Sequence, residues 1–129
     1  MADLSTYMED RIINFMRNVA IEGEAAVYVG LFTADDGLEA GTITSEVSGG
    51  SYARQLAGLS VSVDGVSANA GDITFPAATA EWGLVTHAAL IDALTAGNVI
   101  MHSALAASKQ VDNGDTFKIL AGELDVTIT

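Results

Sequence analysis

The stretch Trp82-Gly83-Leu84-Val85-Thr86-His87-Ala88-Ala89-Leu90-Ile91-Asp92-Ala93-Leu94 decides the fold class, because it reads in two ways. As a strand it places Trp82, Leu84, Thr86, Ala88 and Leu90 on one face and Gly83, Val85, His87, Ala89 and Ile91 on the other. Both faces are then largely apolar, as expected of a central strand covered on both sides. The alternative is a helix over Val85–Leu94.

The flanking sequence favours strands. Downstream, a turn through Ala96-Gly97-Asn98 leads into a strand over Val99–Leu105. Asn113-Gly114, between Val111 and Phe117, is a hairpin signal. Thr116–Leu120 and Leu124–Ile128 alternate and are joined through Ala121-Gly122-Glu123. Upstream, Ile73-Thr74-Phe75 is ended by Pro76, a strand-end or edge position for proline. Leu59, Val61 and Val63 alternate with Ser60, Ser62 and Asp64, which predicts a half-buried strand before the Asp64-Gly65 turn. Val66–Ala70 reads as strand or loop, and Tyr52–Leu56 and Ala25–Thr33 read as strands. Between these last two lies a long polar loop from Asp35 to Ser51, a candidate contact loop. Short strands separated by turns every ~8–12 residues predict a mainly β fold: a small antiparallel sandwich or open barrel of about eight short strands with one N-terminal α-helix.

That helix is predicted over residues 4–19, where Leu4, Met8, Ile12, Phe15, Met16 and Val19 recur at steps of three or four. Asp3 or Ser5 can cap it, Glu9 and Asp10 suit its early turns, and Gly23 stops the pattern. The stripe needs a cover, either its own β domain or another subunit. We therefore divide the chain into a helix at 1–22, acting as an attachment element or a cap, and a single β domain at 23–129. Leu4, Met8, Ile12, Phe15 and Met16 are the candidate interface residues.

Composition narrows the function. The 129 residues fit one domain; 50% are hydrophobic and only 17% charged. A surface so poor in charge favours burial against partners, and with the amphipathic helix it predicts a homo-oligomer, most simply a homotrimer. Seventeen acids against five bases give a net charge of −12. Arg11, Arg17, Arg54, Lys109 and Lys118 are scattered and form no basic stripe, so neither nucleic acid nor an anionic membrane is an expected partner. Cysteine is absent, no signal peptide is evident, and no apolar run reaches the ~20 residues of a membrane span. Synthesis in a cytoplasm is expected.

Motifs for chemistry are weak. His87 and His102 lie mid-strand among apolar neighbours, and a shared metal with Asp92 has no ligand spacing behind it. Ser48-Gly49-Gly50-Ser51 lacks the lysine and helix of a phosphate loop. The segments 35–39 and 112–115 lack the alternating oxygen spacing of a calcium loop. No catalytic residue, cofactor or metal is expected.

Several segments carry a resemblance. Tyr28-Val29-Gly30-Leu31-Phe32-Thr33-Ala34-Asp35 is followed by Glu46-Val47-Ser48-Gly49-Gly50-Ser51-Tyr52-Ala53-Arg54-Gln55, then by Ile73-Thr74-Phe75-Pro76-Ala77-Ala78 and Trp82-Gly83-Leu84-Val85-Thr86-His87. Ile91-Asp92-Ala93, Gly97-Asn98, Gly114-Asp115 and Ala121-Gly122-Glu123-Leu124 complete the series. In this order the chain resembles a family of small tailed-phage virion proteins commonly labelled tail-fibre proteins. Where that family often carries proline after the Ala-Asp of the first loop, this chain has Asp36. The resemblance implies a structural virion component without catalysis. It also gives Arg54 a role, pairing with a fixed acid such as Glu46 or with a neighbouring subunit, against the alternative of an exposed surface arginine. A compact domain without shaft or repeats is expected to be a capsid decoration, or cement, protein on the major capsid protein. A tail-fibre or tail-tip module is the alternative, and a small carbohydrate-binding or hydrolytic module is the reading from another class.

Overall fold

A computed structural model describes residues 3–128. The elements in chain order are β1 (Asp3–Leu4), α1 (Thr6–Met16), β2 (Tyr28–Phe32), β3 (Gln55–Leu56), β4 (Val66–Ala68), β5 (Ile73–Thr74), β6 (Gly83–Ile91), β7 (Val99–Val111), β8 (Lys118–Ile119) and β9 (Asp125–Thr127), with a 3₁₀ turn at Leu38–Ala40. The main sheet has five strands in the order β1-β7-β6-β2-β3, and β4–β9 and β5–β8 form two smaller sheets. Every pairing is antiparallel. The sheets do not close on themselves, and the fold is the small, mainly β antiparallel sandwich with one N-terminal helix that the sequence predicts.

The deciding stretch is the strand β6, with β2 on one side and β7 on the other. Its two apolar faces have two covers. On one, Val85 and Leu90 join Val29, Leu31 and Met101 in the main core, which Ile73, Phe75, Trp82, Phe117 and Ile119 complete; Val85, expected on the face of Ala89 and Ile91, lies instead with Leu90, across the register shift between Val85 and His87. On the other, Ala89 and Ile91 pack with Phe32, Val99 and Leu38. Phe75 meets Phe117 edge-on at 5.7 Å between centroids, and Tyr52 meets Trp82 edge-on at 5.3 Å. Such aromatic pairs add specific geometry to a large buried area.

Several expectations need correction. Strand β7 runs on past Leu105 to Val111, and between Ala104, opposite His87, and Lys109, opposite Val85, residues 105–108 bulge out against Thr86. The Asn113-Gly114 turn is real, but its flanks diverge: Val111 ends β7 in the main sheet, while Lys118–Ile119 pairs with β5. The two flanks belong to different sheets, so no hairpin ladder joins them. The half-buried strand expected over Leu59–Val63 does not form: Val61 is 88% and Val63 67% exposed, Leu59 less so, and the segment is held by isolated bridges to Asn69 and Val66 and by the Ser60 N–H bond to the Ala68 carbonyl. The alternation there is real, but most of its apolar side is left uncovered. The strands expected over Ala25–Thr33 and Tyr52–Leu56 shorten to Tyr28–Phe32 and Gln55–Leu56.

Candidate functional site: a buried ion-pair network and an exposed helix face

Glu46 lies in the long polar loop, where an antiparallel bridge to Phe32 and the Val47 N–H bond to the Leu31 carbonyl at 3.0 Å hold it against β2. Immediately before β3, Arg54 reaches back. Its Nε donates to Glu46 Oε2 and its Nη2 to Glu46 Oε1, both at 2.7 Å. Its Nη1 donates to the carbonyls of Ala93 and Ala96, also at 2.7 Å. Those carbonyls belong to the turn between β6 and β7, which Asp92 ties by accepting from the Asn98 N–H at 2.7 Å and from its side-chain amide at 3.0 Å. Tyr52 completes the network: its hydroxyl donates to Glu46 Oε2 at 2.7 Å and accepts from the Leu31 N–H at 2.9 Å.

The Arg54 side chain is 2% exposed. Hydrogen bonding to Glu46 holds its guanidinium more firmly charged than usual. Burial, then the bond to Glu46, pushes the Tyr52 phenol well above its ordinary range. A fully bonded arginine of this kind fixes the relative position of everything it touches. Here it clamps the polar loop, the approach to β3 and the β6–β7 turn together. Arg54 is thus a buried partner of Glu46, one of the two roles the resemblance implied, and not an exposed surface arginine.

The histidines serve separate contacts. His102 Nε2 lies 2.8 Å from Glu39 Oε2, and His87 Nδ1 lies 2.8 Å from the Thr86 hydroxyl. Among the described residues, no three His, Cys, Asp or Glu side chains gather as metal ligands.

The helix is shorter than the predicted 4–19. Ser5 is the N-cap, accepting from the Met8 N–H at 3.3 Å. It is also fully buried, donating its hydroxyl proton to the Val99 carbonyl and its N–H to the Ile100 carbonyl at 2.9 Å. Nothing in the sequence distinguished this second role from an ordinary cap. Asn18 adopts a left-handed conformation just after Met16, ending the helix before Val19 can join the stripe. Asn tolerates that conformation through its short polar side chain.

The candidate stripe is divided between two environments. Leu4, in β1 opposite Met101, and Met8 pack against the main core. Ile12 is half-buried, while Phe15 is 63% and Met16 78% exposed. Ile13 and Val19 extend the exposed apolar surface. Arg11 holds the returning chain to the helix, donating to the Glu22 carbonyl and pairing with Glu24 at 3.3 Å.

The fold and the site together define a small β-sandwich module, locked by a buried ion pair and carrying an amphipathic helix whose far end faces outward. The chain belongs to the family described as podophage GP4 fiber I protein gp80, whose profile matches residues 3–127. It is therefore a phage structural protein of a fibre-labelled family, as the motif resemblance implied. No curated protein matches it.

Proposed function

We propose that this chain is a non-enzymatic structural module of the phage fibre apparatus. It packs against its own copies, most simply as a homotrimer, with the outward end of α1 as a contact surface of the assembly. The observation that carries this reading is the family match over residues 3–127. The exposed Phe15 and Met16 support the mode of attachment. Burying a large apolar side chain stabilises by roughly 1.5–3 kcal/mol, and a contact repeated over many copies multiplies that gain. The aromatic side chains Tyr52, Phe75, Trp82 and Phe117 pack on one another inside the domain, which weighs against the carbohydrate-binding alternative.

One observation favours capsid decoration as a second reading. The described residues contain no shaft: α1, the α-helix among them, has 11 residues. Electron microscopy of particles labelled on this chain separates the two. Label at the tail supports the fibre module. Label spread over the head supports decoration on the major capsid protein. Particles that never carry the chain overturn both.

A further inference from the structure

We infer that copies of this chain meet head to tail, the outward end of α1 in one copy seating in a groove between the main sheet and β9 of the next. This rests on the self-association proposed above and adds the two surfaces that meet. The groove has a volume of about 230 Å³ and is lined by Ala88, Leu90, Met101, Leu105, Leu124 and Val126. A cavity of about 150 Å³ already admits a benzene ring, so a phenylalanine side chain fits.

Charge selects the occupant. Glu123 and Asp125 stand at the lip of the groove. Their carboxylates accept only from near neighbours in sequence, Glu123 from the Leu120 N–H and Asp125 from the Thr127 hydroxyl, and neither has a cationic partner among the described residues. Directly after the exposed Phe15 and Met16 comes Arg17, whose guanidinium bonds to the Asn14 side chain at 3.0 Å. Arg11, Arg54 and Lys118 are paired with Glu24, Glu46 and Asp72; Lys109 lies over the Phe117 ring, and Arg17, beside the exposed Phe15 and Met16, has no acidic partner among the described residues. The end of α1 is thus an apolar knob beside an unpaired cation, and the groove is an apolar socket beside two unpaired anions.

The net charge of −12 makes this orientation matter. Two copies repel unless their contact sets opposite charges together. A two-fold contact of helix end on helix end would bring Arg17 towards Arg17 and leave the acids at the socket uncompensated. The head-to-tail contact sets Arg17 against Glu123 and Asp125. Because knob and socket are different surfaces, every copy both gives and receives; such a contact makes a ring, a trimer for instance, where its rotation closes and a filament where it does not.

The test is sedimentation of the full chain across a range of concentrations. Arg17→Glu, and separately Glu123→Lys with Asp125→Lys, are expected to weaken self-association by about tenfold or more. Phe15→Ala is expected to weaken it by about 30-fold. All three charge changes in one chain restore association to within about threefold of the original, since the contact again joins opposite charges. Circular dichroism checks that each variant folds. If the charge variants associate as the original does, or the combined variant is not rescued, the inference is overturned while self-association stands. If the original chain is monomeric at every concentration yet still enters particles, both the inference and the homo-oligomer are overturned and the virion role stands.

Discussion

Arg54 and Glu46 meet through two parallel hydrogen bonds of 2.7 Å, and the remaining Arg54 nitrogen spans two backbone carbonyls of the β6–β7 turn. Removing one partner of a buried pair strands the other charge away from water. We expect Arg54→Ala and Glu46→Ala each to lose about 3–5 kcal/mol in urea unfolding. Arg54→Lys is also strongly destabilising, because one ammonium cannot reproduce the planar fork and reach both carbonyls. A loss below about 1 kcal/mol for Arg54→Ala contradicts the clamp.

Tyr52→Phe leaves the buried Leu31 N–H without its acceptor and is expected to lose about 1–3 kcal/mol. The same hydroxyl predicts an alkaline response. Its folded pKa lies above the unfolded value of about 10. The corresponding stability is fully present below that value and is lost as pH rises beyond it. Spectrophotometric titration is expected to find one phenol that ionises only with unfolding, and to lose that signal in Tyr52→Phe.

The acid side has a different reporter. Asp35 accepts from the Leu38 and Gly37 N–H groups at 3.0 and 3.1 Å, which lowers its pKa. A lowered carboxylate pKa contributes stability that is present above about 4 and lost as pH falls through the folded value. Asp35→Asn keeps the acceptor and removes the titration. Stability against pH below about 4 is therefore expected to fall less steeply in this variant.

Ser5 and Phe15 lie on one helix but serve different ends. Ser5→Ala removes the cap and the bond to Val99, and is expected to lose about 1–2 kcal/mol. Phe15→Ala with Met16→Ala changes exposed positions, is expected to leave stability within about 0.5 kcal/mol, and abolishes entry into particles. Removing residues 1–22 discriminates further. If the remainder unfolds cooperatively but no longer joins particles, the helix is an attachment element; if it aggregates while the intact chain does not, the helix is part of the core.

Gly97 has φ of +81°, and a methyl group there would lie 2.7 Å from both the Ala93 Cβ and Asp92 Oδ1. Gly97→Ala is expected to destabilise by at least about 1 kcal/mol. Because that turn supplies both carbonyls to Arg54, the cost is expected to shrink in an Arg54→Ala background, measured as a double-mutant cycle.

The sheet was legible where residues repeat one pattern under one condition. Within β6, Val85 and Leu90 are buried in one core and Ala89 and Ile91 in the other, so both faces carry apolar residues, and Ser5 is a small capping residue beside an apolar stripe. Strand β7 escaped full reading because Ala106, Ala107 and Ser108 have neither alternation nor bulk, and lie in a bulge. Leu59, Val61 and Val63 misled because period two reports that a face is apolar, not that anything packs on it. The Arg54–Glu46 pair came from motif resemblance, but its other half did not: the Ala93 and Ala96 carbonyls are backbone atoms, brought into place by a turn whose side chains carry no sign of it. Asn69 was likewise missed. Buried between turns, it donates to the Gly71 and Leu120 carbonyls and accepts from the Leu124 N–H at 2.9 Å, which any loop asparagine in a sequence conceals.

The burial of Ser5 sets an order of events. Its hydroxyl bonds to the Val99 carbonyl 94 positions away, and Asp3 lies opposite His102. At a synthesis rate of about 5–20 residues per second, the N-terminal segment waits about 5–20 seconds before the strand it docks on exists. An unfinished chain therefore has no seat for its helix and cannot present Phe15 and Met16 in their final setting. The long-range contact that completes the main sheet thus ties the setting of α1 to translation through β7.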